Sequence, residues 1–381
     1  MKMYKLSPQS DVNALFTSLD VTKEGRAILV QKTSMNLIYI KDLRTPAANI
    51  LKQDALSIGA DLAVPKNTIT CRDTHVDVVL IANDKQVKIL SKKESIQPFG
   101  LKEVAQKLSD FTCTCKDIKA QVMGIVNANE DSFFKGSRFE GAHALAHIRA
   151  MIDAGATIID LGGVSSRPGS VGVSEEAELS RLKPIIDLID AQKLHQEALF
   201  SLDSYSPLSL EYALQRGFSI VNDITALEDD AVAKLVAKYD ATVVLMHMLG
   251  TPQEMQKEPY YDNVVLAVDD FFKERIEKAH QFGIKKIILD VGIGFGKTLE
   301  HNLLLLKHHA HFLHFGYPLL VGASRKSMID KIIPTPIEAR LPGTLAIHLK
   351  ACENGATILR AHDVAEHVQA LSVFQAINKI F

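Results

Sequence analysis

Residues 121–137 read QVMGIVNANEDSFFKGS, an apolar β-branched run that within a few positions turns into the amides Asn127 and Asn129 and the acids Glu130 and Asp131. A strand that is apolar almost throughout is expected where helices cover both faces of a parallel sheet. Working outward from it, the same pattern returns as TIIDLGG, LFSLDS, SIVNDI, TVVLMHM, KIILDVG, LLVGAS and TILRAHDV, with longer amphipathic stretches between. Eight such strands alternating with helices fit an α/β fold, a (β/α)8 TIM barrel in about 260 residues. A doubly wound open sheet is the alternative that the rhythm leaves standing.

The intervening stretches carry helix signals. GAHALAHIRAMIDAGA stops at Gly155, and SEEAELSRLKPIIDLIDAQ places Ser174 before acids in its first turn. HNLLLLKHHAHFLHFG has leucine spacing compatible with a packed helix. Residues 1–115 do not share the rhythm. RAILVQKT, MNLIYIKD, DVVLIAND and KQVKILS read as strand-like and GLKEVAQKLSDF as helical, which makes a small α+β extension of unassigned role ahead of a barrel over 116–381.

The chain has 381 residues, 47% apolar and 23% charged, with a formal charge of -2, so bulk electrostatics offer no surface for nucleic acid or membrane. Small anionic substrates need only a local patch. Cys71, Cys113, Cys115 and Cys352 form no CxxC pair and no zinc cluster, and read as reduced thiols of a cytoplasmic protein. MKMYKLSPQSDVNALF lacks the apolar core of a signal peptide, and no window approaches the ~20 apolar residues of a membrane span.

In such a barrel the loops after the strands build the active site. Here the strands run into Asn127 and Asp131, Asp160 with the SSRPG loop, Asp203, Asn222 with Asp223, His247, Asp290, Ser324 with Arg325 and Lys326, and Arg360 with His362 and Asp363. One polar residue at a strand end is usually a cap or turn former; eight converging on one rim are not. Asp203, Asp290 and Asn222 are acceptors suited to the amino and ring N–H groups of a flat heterocycle. Arg360, His362, Arg167 and Lys326 are donors suited to phosphate or carboxylate. No GxSxG elbow is present and no cysteine sits at a strand end, so positioning and charge stabilisation are expected rather than a covalent intermediate.

DVGIGFGKT misses a phosphate loop at Val291 and a dinucleotide loop at Lys297. Its glycines at 292, 294 and 296 are expected to let the backbone turn tightly beside a flat ligand. His143 with His147, and His308, His311 and His314, recur at helical spacing but read as helix-surface residues; His247 and His362, at strand ends, have the stronger functional case.

Taken in order, MGIVNANEDSF, IIDLGGVSSRPGS followed by EE and R, SLDS, IVNDI, LMHM, DVGIGFGK, GASRK and GTLAIHLKACENGATILRAHDV resemble the dihydropteroate synthases over about residues 120–375. The resemblance implies a (β/α)8 barrel that joins p-aminobenzoate to 6-hydroxymethyl-7,8-dihydropterin diphosphate with release of pyrophosphate, assisted by Mg2+. By similarity, Asp203, Asn222, Asp290 and Lys326 hold the pterin with Met246 packed against it. Arg360 covers the ring and grips the diphosphate with His362 and Asn127, and Asn127 also binds Mg2+. Ser165, Ser166, Arg167 and Pro168 match the loop that closes over p-aminobenzoate, and Phe295 and Ser324 complete that pocket. The family also implies a homodimer.

The chain departs from the family's NxTPDSF at Asn129 and Glu130, from its GGESTRPG at Val164 and Ser166, and from its DPG at Val291. Two rival readings share the acids and amides. A pterin-binding methyltransferase would not need GASRK and SSRPG, and a pterin-binding paralogue without turnover draws on the altered opening loop and the extension.

Overall fold

The computed structural model describes residues 3–4, 6–7, 10–112, 119–128, 137–164, 173–251, 254–255 and 258–378, with side chains described from 141 in the helix that begins at 137. Chain contacts divide it into two compact units, Met1–Cys115 with His314–Gly316 and Gln375–Phe381, and Lys116–Leu313 with Tyr317–Phe374.

In the first unit β1 (Met35–Arg44), β2 (Asp61–Ala63) and β3 (His75–Asn83) form an antiparallel sheet in the order β1-β3-β2. With them stand α1 (Val12–Ser18), α2 (Lys23–Thr33), α3 (Thr45–Ser57), α4 (Asp84–Glu94) and α5 (Leu101–Asp110). Leu43, Leu51, Leu62, Leu80, Leu90 and Leu101 are in its core. MNLIYIKD and DVVLIAND are strands as expected, but RAILVQKT and KQVKILS are helices. Caps decide both: Thr22 accepts from Gly25 N at the start of α2, and Asn83 with Gln86 makes a capping box on α4. Val87, Leu90 and Glu94 then bury one helical face, at a spacing no strand provides.

The second unit is a closed barrel of eight parallel strands, β4 (Gln121–Asn127), β5 (Ile158–Gly162), β6 (Leu199–Asp203), β7 (Ile220–Asp223), β8 (Thr242–Met246), β9 (Ile287–Asp290), β10 (Leu319–Val321) and β11 (Ile358–Ala361). Each lies within one of the eight apolar stretches expected as strands, and β9 closes on β10. The helices are α6 (Ser137–Asp153), α7 (Glu175–Ala191), α8 (Pro207–Leu214), α9 (Asp230–Lys238), α10 (Val264–Gln281), α11 (Leu299–Lys307), α12 (Ser327–Ile332), α13 (Leu341–Glu353) and α14 (Val364–Asn378), the last of which belongs to this unit as far as Phe374. Ser174 caps α7 by accepting from Ala177 N, and Gly155 ends α6 at φ +101°, a left-handed turn that glycine adopts without strain. No described helix is long and apolar enough to cross a membrane.

Met123, Ile158, Ile220, Val244, Ile288, Leu320 and Ile358 form one buried cluster, contributed by seven strands. Side chains alternate in and out along a barrel strand, so two residues further on the same inward face carries Ile125, Asp160, Asn222, Met246, Asp290, Gly322 and Arg360. The packed apolar layer is thus the floor beneath a largely polar one.

Candidate active site

Arg360 stands at the centre of this polar layer. Its Nε donates to Asp160 Oδ2 and its Nη2 to Asp203 Oδ2, each at 2.6 Å. β11 and β5 are separated by β4 in the barrel order, so the first pair meets through the interior. Asn222 Nδ2 donates to the same Asp160 Oδ2 at 3.1 Å. Asp290 is buried beside them and accepts from Gly292 N at 2.8 Å.

Lys326 donates to the Ile293 carbonyl, and its Nζ lies 4.4 Å from the centre of the Phe295 ring, a cation–π contact. It needs Gly294 alongside: a Cβ there would come within 3.1 Å of Lys326 Cδ, and φ is +85°. Met246, buried at the end of β8, pairs in register with Asp290. Ser324 Oγ accepts from His362 N at 3.3 Å and lies 2.9 Å from His362 Nδ1.

Electrostatics follow from burial and crowding. Burial pushes Asp203 up to about 7, opposed by Arg360 and reinforced by Asp160. Burial raises Asp290 as well, with the Gly292 N–H and Lys326 pulling the other way. Burial lowers Lys326 to about 8 while Asp290 opposes the fall. For Arg360 burial disfavours the charge, but Asp160 and Asp203 more than offset it and the guanidinium is held above its ordinary range. Once deprotonated, these acids accept from N–H donors, and the cations can face an anion.

Asn127 ends β4, in register with Gly162. Its Oδ1 and Asp203 Oδ2 each lie 3.8 Å from where a Cβ on Gly162 would sit, so the glycine leaves a space between two oxygens. Ser165, Ser166, Arg167 and Pro168 lie outside the described residues, as do Asn129, Glu130 and Asp131. The other named site residues, Asn127, Asp203, Asn222, Met246, Asp290, Phe295, Ser324, Lys326, Arg360 and His362, all lie at barrel strand ends or in the loops that follow them.

Several strand-end residues serve the loops instead. Asp223 follows the inward Asn222 and therefore points away from it. Its carboxylate accepts from Thr225 N and Leu227 N, both at 2.7 Å, and holds a turn in which Ala226 and Leu227 have positive φ. Asp363 pairs with Arg325. His247, expected to have a functional part, is a support: Lys297 Nζ lies 2.9 Å from its Nδ1 and donates to its carbonyl at 3.1 Å and to the Phe295 carbonyl at 2.9 Å. Burial drives His247 down to about 3 and the Lys297 amine well below its ordinary range.

The glycines of DVGIGFGK bring two loops into contact. A Cβ on Gly292 would fall 1.9 Å from the His247 carbonyl oxygen and one on Gly296 2.6 Å from that of Leu249, so the loops after β8 and β9 touch through them. A buried relay, Ala323 N to His348 Nε2 and His348 Nδ1 to His367 Nε2, with His367 Nδ1 bonded to the Asp363 carbonyl, ties the β10 loop to the β11 loop. Lys297, His348 and His367 carry no strand-end signal in the sequence. Asp160 does, two residues after Ile158 on the same face.

Known proteins place this arrangement in a family. The profile of the family described as pterin binding enzyme matches residues 123–362. The bifunctional dihydropteroate synthase/dihydropteroate reductase of Helicobacter pylori is 40% identical over 379 residues, 100% of each chain, and the dihydropteroate synthase of Escherichia coli K12 is 44% identical over 258 residues, 67% of this chain and 90% of that one. The solved structure of Xanthomonas albilineans dihydropteroate synthase with 4-aminobenzoic acid superposes with a TM-score of 0.64 at 38% identity, covering 69% of this chain and 94% of that one. With the acids, amide and cations of the barrel mouth standing where the sequence motifs put them, the chain belongs to the pterin-binding enzymes, as a member of the dihydropteroate synthases.

Proposed function

We propose that the barrel condenses 6-hydroxymethyl-7,8-dihydropterin diphosphate with p-aminobenzoate, releasing pyrophosphate and giving 7,8-dihydropteroate. The observation that carries this reading is the shared rim of three inward acids, Asp160, Asp203 and Asp290, and two cations, Arg360 and Lys326. A flat heterocycle with N–H donors and an anionic leaving group uses both sets.

In the reaction the bond from the exocyclic carbon to the diphosphate oxygen breaks and its electron pair leaves with pyrophosphate. Positive charge develops on that carbon and spreads into the pterin, where Asp203 and Asp290 stabilise it in a largely dehydrated pocket. The aromatic amine then supplies its lone pair to form the C–N bond and loses a proton. Arg360 and His362 face the departing oxygens, and Phe295 with Ser324 lines the side from which the amine arrives.

A magnesium ion suits the donor set. The Asn127 carboxamide oxygen is a hard ligand beside the space kept open by Gly162, and Mg2+ takes few protein ligands, completing its shell with water and phosphate oxygens. When bound, it would neutralise charge on the leaving diphosphate.

The test supplies both substrates and Mg2+ and measures pyrophosphate. Release that requires p-aminobenzoate and is blocked by a sulfonamide is the expected result; tight pterin binding without release would make the protein a paralogue without turnover.

A second activity, reduction of the pterin ring of dihydropteroate, is favoured by one comparison. The Helicobacter pylori relative whose name couples synthase to reductase matches 100% of this chain, the unit of β1–β3 included, whereas the Escherichia coli synthase covers 67%. Incubation with dihydropteroate and a hydride donor, a reduced nicotinamide or flavin, tests it. A donor oxidised no faster than in the absence of protein would dismiss it.

A further inference from the structure

We propose that Asp160 is a positioning residue for this reaction, holding Arg360 and Asn222 so that Asp203 is left to the substrate. The inference rests on the synthase reading above.

The geometry of the guanidinium carries it. An arginine facing one carboxylate commonly spends two parallel N–H groups on that acid's two oxygens. Arg360 divides its bonds between two acids, Nε to Asp160 and Nη2 to Asp203, at 2.6 Å each. Asp203 thus commits its Oδ2 to a single bond from the guanidinium. Asp160 Oδ2 also takes the Asn222 amide at 3.1 Å, so one oxygen on β5 fixes a side chain from β7 and one from β11. With Asp160 absent, the whole edge of Arg360 would be free to close on Asp203, the acid with which it already pairs.

Economy of folding does not explain Asp160. It is fully buried, and its Oδ1, with the Ser201 Oγ on the register-paired residue of β6, has no hydrogen-bond partner among the described residues. An incompletely bonded buried carboxylate costs stability, and Arg360 already has a counter-charge in Asp203. What Asp160 adds is a second negative charge, which lets Arg360 stay in the mouth without consuming the first.

Asp160→Asn keeps the shape and removes the charge. Expected are a kcat about 10- to 100-fold lower, in the range of lost bonds to charged groups, and weaker dihydropterin diphosphate binding by calorimetry, with the KM for p-aminobenzoate unchanged. In an Arg360→Met background the same change should cost clearly less than it does in wild type, keeping only the part that runs through Asn222, because residues acting through one another are not additive. Losses that multiply in the double variant, or a kcat per folded molecule equal to wild type, would overturn the proposal. Should Asp160→Asn prove insoluble, the double variant Asp160→Asn/Arg360→Met decides: recovery of folded protein supports the pairing, and equal insolubility overturns it. Wild type is assayed alongside. If it releases no pyrophosphate the synthase reading fails, and the cycle is then read in pterin binding alone, where equal loss in both backgrounds again overturns the role of Asp160.

Discussion

Replacing Asp203 by Asn removes one negative charge from the pterin side of the site while keeping the side chain's size. In the folded protein Arg360 still has Asp160 at 2.6 Å, so no buried charge is left alone and the barrel should survive. The effect on rate comes from the charge that develops during the reaction. A unit positive charge about 4–5 Å from the carboxylate, at the effective dielectric of ~20 that suits protein sites, is stabilised by roughly 3–4 kcal/mol. Only partial charge develops and Asp290 remains, so the loss is nearer the lower figure, about 100-fold or somewhat more in kcat. The assay is p-aminobenzoate-dependent pyrophosphate release at saturating concentrations of both substrates, with the melting temperature as control. A folded variant that retains more than about a tenth of wild-type turnover would refute the assignment of Asp203 as a charge-stabilising acid.

Three further outcomes are expected. Turnover should fall as the pH drops through about 7, where Asp203 takes up a proton, and again as it rises through about 8, where Lys326 loses one; a flat kcat profile across that range contradicts both roles. Gly292→Ala forces a Cβ to 1.9 Å from the His247 carbonyl at φ +66°, whereas Gly283→Ala meets nothing within 4 Å at φ +80°. Urea denaturation should show about 1–2 kcal/mol lost in the second, the left-handed backbone alone, and clearly more in the first. Chelation of Mg2+ should stop turnover, and Asn127→Ala should raise the Mg2+ needed for half-maximal rate about tenfold or more; an unchanged requirement would remove Asn127 from the metal.

The barrel was legible because each of its strands combines two signals that depend on neighbours within a few residues. An apolar run such as IIL at 287–289 can be buried on both sides, and the polar residue that ends it, Asp290, has to face a loop. The extension offered weaker signals. RAILVQKT is as rich in β-branched residues as a strand, and what makes it helical is Thr22, a cap lying outside the run itself. KQVKILS is decided likewise by Asn83 and Gln86. In both cases the capping residues, and not the apolar residues of the run, set the helix.

The site was legible to a different depth. Residue type at the strand ends located the rim, but treated Asn222 and Asp223 as one pair, whereas the alternation of a strand sends the first to Arg360's acid and the second to its own loop. The same alternation would have set Asp160 beside Asn222, Asp290 and Arg360, since each stands two residues after an isoleucine of the apolar layer. Lys297 and the His348–His367 relay lie beyond such counting. Their partners are fifty and nineteen residues away in sequence, and only the closed barrel brings them together. That division has a physical basis. Pleat parity is a local property of the chain, fixed by covalent geometry, and it determines which side chains can enter the mouth. Which of them then bond to one another depends on barrel closure, and it is closure that lets Arg360 reach past β4 to Asp160 and makes a two-acid clamp from residues two hundred positions apart.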